Sequence, residues 1–194
     1  MSAFSRRSAL GGLLLLTSAC PQSCLIQRGA NSTQQREAIH EVVTQMNLSS
    51  KTAPSPSHPG KGIFGDQIEY LGYDLQPPQP LAGGPCQVTF YFHALRDVTA
   101  DWQIFVHIDA RGAREERING DHYPVGGRFH TDQWRQGDYV TDRFAFTIPD
   151  YQAKALMDLW AGFYSGDDRL PISNPKDCPN DGNNRLLAGT IQVQ

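Results

Sequence analysis

The chain has 194 residues, with 17 basic against 20 acidic side chains and 39% hydrophobic residues. That length holds one ordinary domain plus a tether. The slight negative charge leaves no basic field for nucleic acid, and the four cysteines include no Cys-x-x-Cys pair, which argues against a zinc ribbon or a thioredoxin-like site.

Arg6 and Arg7 precede the apolar block Leu13 to Leu16, which runs into Thr17, Ser18, Ala19 and Cys20. A basic start, a short apolar stretch and small residues at a cleavage point read as a secretory signal over 1–19. The apolar stretch is too short to span a bilayer. Thr17-Ser18-Ala19-Cys20 resembles the lipobox of bacterial lipoproteins, with Thr17 where that family prefers Leu. The resemblance implies an acylated Cys20, attachment to membrane through an N-terminal lipid, and the outer membrane as the expected address. The alternative is that ordinary signal peptidase reads the same small residues and releases a soluble chain. Ser5-Arg6-Arg7-Ser8-Ala9-Leu10 also resembles a twin-arginine signal, with Ala9 in the usual place of Phe.

Loss of the leader removes Arg6 and Arg7 and no acid, leaving 15 basic and 20 acidic residues, a net of about −5. Export places the remaining cysteines where disulfides persist. A Cys86–Cys178 bridge is therefore expected, with Cys24 free in the stalk; the alternative is Cys86 as a small buried hydrophobe.

Residues 20–62 read as a stalk. Ser32 with Gln35 has capping-box form, and Ile39, Val42, Val43 and Met46 recur on one helical face, predicting a short helix over 33–46. The Ser/Pro-rich stretch that follows, through Pro54, Pro56 and Pro59 to Gly62, reads as a flexible, solvated linker. The folded domain is expected over 63–194.

From Ile63 the period changes to two. Val88, Phe90, Phe92 and Ala94 alternate with polar residues, as do Leu187, Gly189, Ile191 and Val193. Val140, Phe144, Phe146 and Ile148 alternate too, with Asp142 alone breaking the apolar side. Further strands are expected over 67–75, 102–109 and 158–165, with a brief helical piece near Ala153 to Leu156. Half-buried strands separated by Gly/Pro turns predict an all-β chain: a two-sheet antiparallel β-sandwich of immunoglobulin or fibronectin type III kind. A closed barrel or jelly roll is the second architecture.

The sequence Phe105-Val106-His107-Ile108-Asp109, then Gly120-Asp121-His122-Tyr123-Pro124-Val125-Gly126-Gly127, then Thr131, Trp134 and Gly137, resembles an uncharacterised bacterial β-sandwich module. That module stands alone in predicted lipoproteins and is appended to membrane glycosyltransferase-like proteins. Gly162-Phe163-Tyr164 and Asn184-Arg185-Leu186 match its closing strands, so the resemblance covers roughly residues 64–193. It implies a fold rather than an activity.

No nucleophile elbow, His-Glu-x-x-His, phosphate loop or dinucleotide fingerprint is present, and no cofactor is implied. The expectation is a non-enzymatic module that binds a glycan or a partner protein of the envelope. Asp121, His122, Tyr123, Arg128, Trp134 and Arg135, beside Trp102 and Trp160, are the candidate ligand residues, since aromatic and polar groups together suit a sugar or a peptide. The alternative is a metal-dependent enzyme using His107, Asp109, Asp121, His122 and His130. A purely structural reading of the loop gives Asp121 and the glycines the task of shaping it, and Trp134 that of covering a sheet end.

Overall fold

The computed structural model describes residues 33–46, 48–111 and 117–194. The expected leader over 1–19, Cys20, Cys24 and Ser32 lie outside the described residues. The predicted short helix is α1 (Thr33–Gln45). The strands are β1 (Ser49–Ser50), β2 (His58–Pro59), β3 (Ile63–Phe64), β4 (Ile68–Gln76), β5 (Pro85–Ala94), β6 (Gln103–Ala110), β7 (Arg117–Asn119), β8 (Tyr139–Thr147), β9 (Leu156–Ser165), β10 (Asp168–Arg169) and β11 (Leu186–Gln192). Among the described residues no helix is long and apolar enough to cross a membrane.

Two antiparallel sheets divide these strands. The first runs β1-β8-β5-β4-β2, with β3 also on β4; the second runs β10-β9-β6-β7, with β11 also on β9. The predicted alternation explains the core. Val88, Phe90, Phe92 and Ala94 of β5 face Ile104, Val106 and Ile108 of β6 and Leu159, Ala161 and Phe163 of β9, all at most 2% exposed. Phe92 packs edge-on against Phe163 with centroids 5.2 Å apart, and Trp134 closes the cluster at 6.0 Å from Phe92 and 6.2 Å from Phe163. Such aromatic pairs each add about 1 kcal/mol beyond the area they bury. Tyr70 and Tyr73, both inward across a bulge in β4, donate their hydroxyls to the carbonyls of Ala188 and Thr190 in β11. The bulge falls at Gly72, whose φ of +136° leaves the room a side chain would take from the β2 carbonyl of His58.

Three expectations are corrected. The segment 49–62 is solvated but is not a free linker: most of its residues are exposed, yet β1 extends the first sheet along β8, and β2 pairs with Gly72 and Tyr73. Ser57 N–H also bonds the Asp74 carboxylate at 2.6 Å. Prolines cost a ladder bond only inside a sheet, so Pro59 sits comfortably at this edge. Second, Cys86 and Cys178 are free, buried thiols. Cys86 lies by the Gln76 end of β4, whereas Cys178 bonds Asn174, which holds Ile63 beside Glu69 at the other end. Seven residue steps along the strand separate those ends by roughly 20 Å, far beyond disulfide reach. Third, the helical piece near Ala153 is a single 3₁₀ turn at Asp150–Gln152, and Leu156 already belongs to β9.

Helix α1 docks on the sandwich with half of its apolar stripe. Val43 is buried and Ile39 packs against the core, while Val42 and Met46 stay exposed. The polar tie is Asp138, fully buried, which accepts from Lys51 Nζ at 2.7 Å and from the Arg135 N–H at 2.8 Å and lies 3.1 Å from His40 Nε2.

Candidate functional site

The loop between β7 and β8 folds inward, and the reason is Asp142. A carboxylate on the core face of a strand must find donors. Val125 N–H reaches Asp142 Oδ1 at 2.6 Å and His122 Nε2 reaches Oδ2 at 2.8 Å, while His122 Nδ1 lies 2.6 Å from the Gly120 carbonyl. Both neighbours of the His122 ring are acceptors, a setting that favours the ring with two N–H groups and a positive charge. Burial opposes that charge, but the Asp142 bond and the Asp142 charge outweigh it and raise the His122 pKa above its ordinary value. Val125 is held at φ +55°, a left-handed conformation that β-branched residues avoid, by the same carboxylate.

This arrangement disperses the six residues chosen from the sequence. Trp134 is 0% exposed and donates Nε1–H to the Phe129 carbonyl at 3.2 Å, so it belongs to the core and not to a ligand surface. His122 turns to Asp142. Arg128 is exposed at the loop tip and bonds the Val125 carbonyl, and Arg135 lines a shallow hollow with Glu37, His40 and Glu41 of α1. Only Asp121 and Tyr123 remain together, on the outward side of the second sheet.

The five-residue metal constellation is dispersed as well. His122 serves Asp142, His130 Nδ1 lies 3.0 Å from Asp101, and Asp109 is held by Arg117 at 2.7 Å and by Arg185 at 3.3 Å. Among the described residues no group of three or more His, Cys, Asp or Glu side chains is placed to hold a metal ion.

What the fold does assemble is the outer face of the second sheet. Gln103, Phe105, His107 and Asp109 alternate outward along β6, opposite Tyr164, Gly162, Trp160 and Asp158 of β9. The face is sealed by its own side chains. Phe105 is 2% exposed beneath the Arg169 guanidinium, 5.1 Å from its ring, and Trp160 lies beneath that of Arg185 at 4.6 Å. Gly162 makes room for the Phe105 ring, which any β-carbon there would strike.

At the centre sits His107, 9% exposed, with Nε2 3.6 Å from Asp121 Oδ1. Its Nδ1 is buried and has no hydrogen-bond partner among the described residues. Burial, then the charge of Arg117, pushes the His107 pKa below its usual value despite Asp121, so the ring is neutral at neutral pH. Beside it Tyr164 donates its hydroxyl to Gln103 Oε1 at 3.0 Å. Burial, with the charge of nearby Asp121, raises the Tyr164 pKa. Gln103, Tyr164 and the Arg185 clamp escaped the sequence reading because outward strand positions read simply as wet. The signal that could have found the face was Phe105 and Trp160, large apolar residues on positions of the wrong parity.

The chain matches no protein-family model, and no curated protein is similar enough in sequence to count as a relative.

Proposed function

We propose that the chain is an exported protein, acylated at Cys20, whose β-sandwich binds a hydroxyl-rich envelope glycan through the outer face of its second sheet, without catalysis. The leader and the lipobox-like Thr17-Ser18-Ala19-Cys20 support the address. The strand order supports an immunoglobulin or fibronectin type III kinship: β4-β5-β8 in one sheet and β6, β9 and β11 in the other stand where that fold has strands A, B, E and C, F, G.

The observation that carries the binding reading is His107. Its Nδ1 is held buried without a partner among the described residues, at a cost of about 1–3 kcal/mol, while its Nε2 faces the exposed Asp121 carboxylate 3.6 Å away, at the floor of the patch a ligand would cover. Asp121, Gln103, Tyr123 and Tyr164 add acceptors and donors within the same patch, and a few convergent polar groups beside aromatic ones suit a sugar.

The test is binding of the purified chain to cell-wall glycan fragments. Asp121→Ala and Tyr164→Ala are each expected to weaken binding about tenfold, or 1.4 kcal/mol. Arg128→Ala, away from the face, leaves it unchanged. Binding that is insensitive to both face variants, in protein with an unaltered melting temperature, contradicts the assignment.

A further inference from the structure

An exposed strand edge is a template for another strand unless something covers it. Here the edges are covered one after another. The outer side of β4 carries β2 and β3, and that of β6 carries β7 and the bridge from Ile104 to His122. The carbonyls of Ala188 and Thr190 in β11 are taken by the hydroxyls of Tyr70 and Tyr73. The edge of β8 differs: β1 pairs with Tyr139 and Val140 only, and among the described residues no strand continues along 141–147. This is the position that the fourth strand of the first sheet takes in immunoglobulin domains.

The ladder shows which groups point outward. Ala94 N–H bonds the Asp138 carbonyl and Ile148 N–H bonds the Gly84 carbonyl, so the even-numbered residues of β8 turn their backbone groups toward β5. Pro85, which lacks an N–H, stands opposite Thr147 as that parity requires. Thr141, Arg143, Ala145 and Thr147 therefore present their N–H and C=O groups to the open edge. The strand is regular through these positions and shows no register shift against β5. Phe144 and Phe146 are only half-buried, with rings stacked 5.5 Å apart at 10°.

We propose that this edge pairs antiparallel with the same edge of a second copy, around a two-fold axis at Ala145. The occupant follows from the residues that meet. With Ala145 facing Ala145, Phe144 of one copy faces Phe146 of the other, and Arg143 faces Thr147. Aromatic cross-strand pairs stabilise, and no like charges oppose; a centre at Arg143 would set guanidinium against guanidinium. The two rungs occupied by β1 lie outside the paired stretch.

Sedimentation of the full-length chain in detergent-containing buffer tests this, with amide hydrogen exchange read alongside. The unaltered chain is expected at twice the protomer mass, with the outward amides of Arg143 and Ala145 protected. Ala145→Pro removes one outward N–H and no bond to β5, and Ala145→Lys puts like charges face to face. Both are expected to halve the mass while the melting temperature at low protein concentration stays in place. A monomer at micromolar concentration overturns the proposal, as does a dimer unmoved by both variants. A monomer whose edge amides are protected by a co-purifying polypeptide also overturns it and gives the edge to another protein.

Discussion

At the scale of single residues, the molecule turns on carboxylates placed where water cannot reach them. Asp142 on the core face of β8 is satisfied by a charged His122 and by a Val125 amide drawn into a left-handed turn. Removing one member of such a pair leaves the other charge uncompensated, so His122→Ala is expected to destabilise the fold by about 3 kcal/mol in chemical denaturation. The pH dependence has two limbs. His122, its pKa raised in the fold, binds a proton that the unfolded chain has released, so its contribution is complete below about pH 6.5 and is lost as pH climbs through the folded value. His107, its pKa lowered, is protonated first in the unfolded chain, so stability falls as pH drops below about 6.5 toward the folded value. Melting temperature followed against pH is expected to decline on both sides, and His107→Asn is expected to flatten the acid limb alone. A curve untouched by that variant contradicts the assignment. The sequence contained this much of the story: Asp142 was legible as a break in an apolar alternation. Its partners were not, because His122 and Val125 reach it only once β6 and β8 lie in facing sheets.

At the scale of elements, strands with one wet face were readable from period two, since alternation is what a half-buried sheet imposes. The observed β4, β6 and β9 lie within two residues of the expected spans. Edge elements were not readable. β1 and β2 bury little apolar surface and are held by backbone bonds and by Asp138 and Asp74, which a hydrophobic pattern does not register. Asp138 is the test of that account, because it joins His40 of α1, Lys51 after β1 and the turn before β8. Asp138→Ala is expected to speed amide exchange across α1 and 48–52 by at least tenfold while β5, β6 and β9 keep their protection. Uniform loss of protection across the sheets would mean instead that Asp138 supports the whole sandwich.

At the scale of the whole molecule, two sheets close on an aromatic core, and among the described residues bonding is left unmet at His107 beneath the outer face and along the edge of β8. The candidate site was half legible in the sequence. Asp121 and Tyr123 were found through the loop that carries them, whereas Trp134 was misplaced because a tryptophan before a turn reads alike whether it caps a core or greets a ligand. The proposed function also sets an address, export with a lipid on Cys20. Intact-mass measurement of the protein isolated from its native envelope tests that claim most directly. The account predicts a chain lacking residues 1–19, with a diacylglycerol thioether and an acylated amine on Cys20. A chain that begins at an unmodified Cys20, or still carries its first nineteen residues, would contradict it.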